Sequence, residues 1–566
     1  MKLSLHFKDF FSSLRRISVS AVVAIYCSFF LGIAISAENK NPQTEEDDIF
    51  QSTNLLRISI EIPDAGLQSL RGSQPSANIG VKPQAKANVT EGDRIYRNVG
   101  VQLKGFTTFR PIDLLPSLTL NFGPSSKERF HGLSKISLNN SLQDPSRLQE
   151  KFSREMFTNA GVPVPRADYA IVTLNGRELG LYVLVEGFDK EFLKRHFRRA
   201  DGTLYEGGVL QDIDRPLKSR FGREPSNYSP IQKLISAARE PDIGKRWRAL
   251  NEAVDMDRFI SMIAMEAILC HSDSYSMNRN NYRLYHDPLS DKIVFMPHGM
   301  DRVLGTHRSG LDLSILPPML GLVARAVLST PEGRQRHIER VGVLFTNLFK
   351  PEALCRRVQE IDAKISDARR DEVSPSYRPM LEPRPDNETG NLCERICKRA
   401  ANLTLQFEHL SEIRAGIPAT SFDTNGFAQI GGWKPKLGAS QPEISCELEI
   451  REGHEVLHLR TAGGPLKTSL RARLSLPAGS YHLIGSIGAA TADDTSLAIF
   501  PSILRYSSGR YAVEQRPLQT GAGTINYPIE VGEPRVPEEI EIICDIRAAS
   551  REVWFDASSL KLIRME

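Results

Sequence analysis

HSDSYSMNRNNYRLYH, residues 271–286, is the stretch on which the reading of this chain turns. His, Asp, Ser, Tyr and several amide and guanidinium groups crowd behind the strongly apolar run MDRFISMIAMEAILC at 256–270. The spacing His271–x–Asp273–(x)4–Asn278 sets a carboxylate and an amide on one loop. A carboxylate that takes a hydroxyl proton and an amide oxygen that holds a divalent cation are two groups phosphoryl transfer requires. Downstream, NYRLYHD and KIVFMP flank a Pro-Leu-Ser-Asp turn and predict a hairpin. His298-Gly299-Met300-Asp301 follows at once and offers a second carboxylate. The spacing by itself also suits a solvated loop at a helix end, where His, Asp and Asn are common caps and turn formers. The order helix, Asp-x4-Asn loop, hairpin, Asp favours the chemical reading, with His271 structural.

Working outward, residues 55–125 predict strands: LLRISIEI, NVGVQLKGF and PSLTLNFG, separated by Pro, Gly, Ser and Asn. PSRLQEKFSREMFTNA predicts a helix over 145–160, with Asp144 as N-cap and Gly161 ending it. ADYAIVTLNGRELGLYVLVEGF predicts a hairpin turning at Asn175–Gly176. Residues 319–416 predict helices, interrupted by the Pro-rich segment 374–386. From 418 to 566 only short strands and turns follow, the texture of a β-sandwich or jelly roll.

At 566 residues the chain predicts more than one domain. Lys2, Lys8, Arg15 and Arg16 precede the apolar run VSAVVAIYCSFFLGIAIS and the small exit residues Ala34, Ser36 and Ala37. That order predicts a secretory signal peptide at 1–37, with an uncleaved membrane anchor as the alternative. Either places the remainder outside the cytoplasm, in a secreted, periplasmic or cell-surface location. Residues 38–52 are polar and acidic and predict a linker. Removing 1–37 takes four basic groups and Asp9, so the formal charge drops from +4 to +1. A nearly neutral chain makes no electrostatic case for nucleic acid. Six cysteines would remain, of which Cys446 and Cys544 are the expected disulfide partners. Cys393 and Cys397, one helical turn apart, are poorly placed to bridge each other. No zinc-like Cys/His spacing occurs.

VGVQLKGFTTF, FHGLSKISLNNSLQDPSRLQE, AGVPVPRADYAIVTLNGRELGLYVLVEGFDKEFL, DSYSMNRNNYRLYHDP and PHGMDRVLG, across roughly 95–305, carry a resemblance. In this order they resemble the spore-coat-protein-H (CotH-type) kinase family. The resemblance implies an atypical protein-kinase-like domain at 53–417; it says nothing of 418–566, where the strand texture predicts an all-β sandwich or jelly-roll domain, so the chain is expected to be α+β. It implies ATP- and Mg2+-dependent (or Mn2+-dependent) phosphorylation of Ser or Thr hydroxyls on secreted or cell-surface proteins. Asp273 matches the family's catalytic Asp and Asp301 its metal-binding Asp. Kinase logic adds Asn278 as a second metal ligand, Lys104 as a phosphate contact and Glu150 as its ion-pair partner. Glu186 stands where a kinase hinge would meet adenine; the ordinary readings are an exposed strand Lys for Lys104, a surface helix Glu for Glu150 and a plain strand-end Glu for Glu186.

Two departures bear on activity. Leu115 stands where members commonly carry Lys, and His298-Gly299 where many carry Trp-Asp. A catalytically weak or inactive scaffold is therefore the alternative to an active kinase, and a metal-dependent hydrolase a weaker third reading. Trp433 and the Tyr residues of the last domain suggest a sugar-stacking platform, against the commoner outcome of aromatic core positions. The partners expected are a protein substrate and a carbohydrate surface, with no membrane once the signal is cleaved.

Overall fold

Alternating burial along LRISIE, AKANVTE and SLTLN is the period-two pattern of strands with one face in a core. A computed structural model describes residues 49–75, 83–123, 128–222, 225–306, 310–370 and 388–410. Further on it describes 420–435, 444–451, 454–462, 465–477, 479–487, 498–505, 523–531, 538–556 and 559–565. The expected signal peptide, most of the expected linker (38–48) and the Pro-rich segment 374–386 lie outside the described residues. All elements named below belong to one compact unit, Ser52–Glu566. Among the described residues, no helix is long and apolar enough to cross a membrane.

Seven strands form a closed barrel in the order β1-β2-β3-β4-β5-β7-β6. They are β1 (Leu56–Glu61), β2 (Ala85–Glu91), β3 (Arg94–Lys104), β4 (Ser117–Asn121), β5 (Lys135–Asn139), β6 (Ala167–Leu174) and β7 (Arg177–Glu186). The ring shuts through a parallel pairing of β1 with β6, Leu56 opposite Ala170 and Ile60 opposite Leu174. The Asn175–Gly176 turn forms as expected, with φ of 46° and 75°, the left-handed pair a two-residue hairpin needs. Asn175 also ties the barrel end, its Oδ1 accepting from Ile62 N at 2.9 Å and its Nδ2 donating to Ile62 O at 2.7 Å.

Helix α1 (Asp64–Arg71) follows β1, and α2 (Gln149–Asn159) lies between β5 and β6. The start of α2 corrects the expected 145–160 span. Arg147 sits at φ 59°, a left-handed conformation that breaks a helix begun at Pro145. Asp144 nevertheless satisfies the helix start from further back, accepting from Gln149 N at 2.9 Å and from the Gln149 amide at 3.0 Å.

Beyond the barrel come α3 (Lys190–His196), β8 (Thr203–Glu206), β9 (Lys218–Phe221), α4 (Ser229–Arg239), α5 (Ile243–Ala253) and α6 (Met256–Ile268). A single helical turn, α7 (Tyr275–Asn278), precedes β10 (Tyr282–Asp287) and β11 (Lys292–Pro297), which pair as the expected hairpin. The second sheet runs β11-β10-β8-β9. Four helices complete this part: α8 (Leu322–Leu328), α9 (Pro331–Leu348), α10 (Pro351–Arg370) and α11 (Glu388–Glu408). Eleven of the thirteen residues of α6 are buried apart from Asp257 and Arg258 alone, so this helix runs through the core rather than along it. One apolar cluster joins α2, the β6–β7 hairpin, α6 and the C-terminal helices.

Residues from Phe427 to Met565 carry β12 (Phe427–Gln429), β13 (Lys434–Pro435), β14 (Ile444–Arg451), β15 (His454–Thr461), β16 (Leu466–Leu476), β17 (Gly479–Ile487), β18 (Ala498–Arg505), β19 (Gly523–Val531), β20 (Glu538–Ala548), β21 (Glu552–Phe555) and β22 (Lys561–Met565). They form antiparallel sheets of order β12-β22-β17-β19, β13-β16-β20-β18 and β14-β15-β21. Trp433 and Tyr481 belong to the core these strands share, with the Trp433 indole N–H donating to Ile430 O at 3.0 Å. A sugar-stacking role for them is thereby overturned, because neither ring face is open. Cys446 and Cys544 are both free thiols, which corrects the expected bridge. They lie on different sheets, Cys446 opposite Leu459 on β15 (His454–Thr461) and Cys544 opposite Leu470 on β16 (Leu466–Leu476).

Two histidines, His337 buried and His196 partly buried, make stability pH-dependent. His337 on α9 bonds to Ile315 O at 2.7 Å, and burial pulls its pKa down to about 4. Burial, with Arg195 beside it, pulls His196 down to about 3. The unfolded chain protonates such a ring near the ordinary value of about 6.5. Stability from these rings is full above that value and is lost as pH falls through the window below it. The thermal midpoint is expected to drop steadily on acidification from about pH 6.5, and His337→Gln to flatten the drop.

Candidate functional site

Helix α6 ends because Cys270 turns left-handed at φ 52°, and the chain enters the polar loop. Ser274 caps α7 by accepting from Met277 N at 3.4 Å, and Arg279 at φ 53° stops it after one turn. That turn folds Asn278, Asn280 and Asn281 back over Asp273. The Asp273 carboxylate accepts from the Asn278 amide at 2.5 Å, from Asn280 at 3.1 and 3.2 Å, and from Asn281 at 3.0 Å. A carboxylate has room for about four such donors, so its orientation is fully specified.

Because Asp273 takes the Asn278 N–H, the amide oxygen must face away from it. Asn278 Oδ1 is buried and has no hydrogen-bond partner among the described residues. A buried amide oxygen without a donor is costly unless a cation or water meets it. His271 is wholly buried and ties the loop to the next segment, its Nε2 bonding to Gly299 O at 3.1 Å. Burial holds the ring toward its neutral form, in keeping with a structural role.

Asp301 lies just beyond that Gly299 anchor. Its partly buried carboxyl is pushed up to about 7 by burial, and then by the negative charges of Glu150 and Asp144. A cation placed there would relieve both effects. Lys104, the last residue of β3, donates to Asn139 Oδ1 at 2.6 Å. Burial pulls this ammonium down to about 8, opposed by the nearby charges of Glu150 and Asp301. Lys104, Glu150, Asp273 and Asp301 thus share one electrostatic neighbourhood, with His271 feeling Asp273 and Glu150 as well.

Glu150 does not form the expected ion pair with Lys104. Arg154, one turn along α2, takes Glu150 Oε1 through Nε at 2.9 Å and Nη2 at 2.5 Å, and both side chains are buried. Sequence spacing leaves both options open, and the i,i+4 pairing prevails because it needs no long-range approach. Glu186 ends β7 buried, accepting from Arg166 N at 3.0 Å and from the Arg166 and Arg195 guanidinium groups at 3.3 and 2.5 Å. Its carboxylate is committed to these two arginines.

The two departures now have physical accounts. Leu115 is buried, in the chain segment that offers its carbonyl to Asn140 at 2.8 Å. Gly299 has φ 62°, and a Cβ there would stand 2.5 Å from Asn281 Oδ1. The Asn281 amide that steadies Asp273 therefore occupies the space a side chain at 299 would need. Gly299→Ala should displace Asn281, costing about 1–3 kcal/mol in chemical denaturation and reducing any activity that depends on Asp273.

Three contributors carry no motif signal. Glu266, at the end of α6, is fully buried and accepts from Ser276 N at 3.2 Å and from the Ser276 hydroxyl, bracing the loop from behind. Burial pushes its carboxyl up to about 7. Arg283 on β10 donates to His298 Nε2 at 2.7 Å and to Glu206; burial first, and then the Arg283 charge, hold the partly buried His298 ring neutral. Arg399 on α11 is 0% exposed and donates to Ala267 O at 2.8 Å and Ile268 O at 3.0 Å, the last carbonyls of α6. It also reaches Leu311 O at 2.8 Å and Leu313 O at 2.7 Å.

A core helix leading to Asp273 and Asn278, a hairpin, and Asp301 beyond it follow one another in the order read from the sequence. The chain belongs to the CotH kinase protein family, whose model matches residues 116–403, about half its length. The match takes in Glu150, Glu186, Asp273, Asn278, Asp301 and Arg399, and starts after Lys104. Inner spore coat protein H of Bacillus subtilis (strain 168) is 23% identical over 301 residues, covering 50% of this chain and 80% of that protein. Among solved structures, similarity extends to the carbohydrate-binding module TmCBM61 in complex with β-1,4-galactotriose. It is 13% identical, covers 24% of this chain and 91% of that one, and has a TM-score of 0.17. A CBM4 structure is 12% identical, covering 24% and 86% respectively, with a TM-score of 0.18. At these scores the likeness decides neither fold nor ligand.

Proposed function

We propose that this chain is an exported atypical protein kinase that moves the γ-phosphate of ATP to Ser or Thr hydroxyls of secreted or surface proteins. The carrying observation is the 2.5 Å contact between Asp273 and the Asn278 amide, which leaves Asn278 Oδ1 buried and unpaired among the described residues. ATP with Mg2+ or Mn2+ supplies, when bound, the phosphoryl group and the charge neutralisation it requires. Asn278 Oδ1 and the Asp301 carboxylate are the metal-holding groups in this reading. Lys104 contacts phosphate, and Asp273 orients the acceptor hydroxyl and takes its proton. Glu186 serves an adenine contact only if Arg166 or Arg195 releases it.

A weak or inactive scaffold has one specific observation in its favour: Glu150 is held by Arg154 and not by Lys104. Intact-mass measurement after incubation with ATP and either metal separates the two readings. Steps of about 80 Da that vanish in Asp273→Ala and Asp301→Ala support transfer. No nucleotide binding in either metal establishes the scaffold. For the C-terminal β region we propose a carbohydrate surface as partner, on architecture alone. Retention of the full chain on insoluble polysaccharides tests it, and no retention across diverse polymers removes it.

A further inference from the structure

Three cysteines meet between α10 and α11, well away in sequence from the Asp273 loop. Cys355 lies on α10, and Cys393 and Cys397 lie four residues apart on α11, so both present toward the same neighbour. The Cys355 thiol approaches Cys393 O at 3.8 Å and the Cys393 thiol approaches Cys355 O at 3.8 Å, a reciprocal contact. Cys397 is close enough to Cys355 for each thiol to act on the other's titration. All three are free, Cys397 is exposed and the other two are partly so, which leaves an oxidant a way in. Among the described residues no group of three His, Cys, Asp or Glu side chains is arranged to hold a metal, so a thiolate metal site is not the reading.

We propose that Cys355 is the shared half of a disulfide-forming site, pairing with either Cys393 or Cys397 to staple α10 to α11. The chemistry is two-electron thiol–disulfide exchange with a disulfide oxidant. The Cys397 thiolate attacks the oxidant's S–S bond; that bond breaks, one thiolate leaves and a mixed disulfide forms on Cys397. Cys355 gives its proton to solvent, and its thiolate attacks the Cys397 sulfur and expels the oxidant's second thiolate. Two protein thiols are oxidised and one oxidant disulfide is reduced to two thiols. The third cysteine, Cys393, can then attack the Cys355 sulfur and take the bridge over without further oxidant. Burial pushes Cys355 up to about 12 and raises Cys397 as well. Thiols of that kind are poor leaving groups, so the bridge resists reduction. It also closes the chain between α10 and α11 into a loop, which restricts the unfolded ensemble.

The full chain, reduced and then exposed to oxidised glutathione, is alkylated under denaturing conditions and weighed. The expected result is loss of two alkylatable thiols, with peptide mapping joining Cys355 to Cys393 or Cys397. Cys393→Ser and Cys397→Ser should each retain a bridge, and Cys355→Ser should abolish it. The oxidised protein should melt above its reduced form, and Cys355→Ser should show no such difference. Glutathione adducts alone, a full set of alkylated thiols, or a bridge that survives in Cys355→Ser would overturn the proposal.

Discussion

Asp273→Ala is expected to reduce phosphate incorporation by about 10²- to 10⁴-fold, the range a positioned general base supplies. The expectation rests on how completely the structure commits the rest of the loop to this one carboxylate. Asn278, Asn280 and Asn281 all donate to it, and His271 anchors the same loop to Gly299 O. Asp273→Asn is a sharper variant, because its own amide would present N–H groups to neighbours that are themselves donors. One of the three would have to turn away, and Asn278 turning would bring its oxygen inward. Asp273→Asn should therefore lose metal dependence together with transfer, whereas Asn280→Ala should lower the rate with metal dependence intact. Phosphate incorporation and metal titration on the same preparations distinguish the cases. Transfer at undiminished rate in Asp273→Ala would sink the assignment of Asp273 as base.

The largest effect on stability is expected at Arg399. Its guanidinium is fully buried and donates to four backbone carbonyls and to Asn402 Oδ1, the last at 2.9 Å, with the Asp312 charge acting on it as well. Two of those carbonyls end α6, where the helix dipole favours a cation. Arg399→Ala would strand several buried acceptors together, a loss of roughly 3–5 kcal/mol. Arg399→Lys recovers the charge but not the planar fork and should restore only part of it. Chemical denaturation reads both. Because α6 carries the Asp273 loop, nucleotide binding should fall in Arg399→Ala even at temperatures where the chain stays folded. Wild-type stability in that variant would show that the guanidinium is not what closes the end of α6.

Much of the site was legible in short-range pattern. The apolar run before the loop, the hairpin after it and the Asn175–Gly176 turn depend on neighbours a few residues apart, and all three form as read. What escaped depends on contacts across the chain. Arg147 goes left-handed because of what surrounds it, and α2 starts later than Pro145 suggests. Arg154 captures Glu150 by local geometry, while Lys104 finds Asn139 from a neighbouring part of the barrel. Glu266 and Arg399 look like ordinary charged helix residues until the fold buries them. Trp433 goes inside because its indole N–H finds Ile430 O within its own turn, so an aromatic count could not place it.

The parallel seam between β1 and β6 sets a timetable for synthesis. β1 leaves the ribosome early and gains β2 as a neighbour soon afterwards, but its other edge waits for Ala170 and the residues after it. That wait covers roughly 110 residues of elongation, about 5–20 seconds at ordinary translation speed. Throughout it the first strand offers unpaired N–H and C=O groups to any passing segment. A chain handed on before the β6–β7 hairpin exists would travel with an open ring.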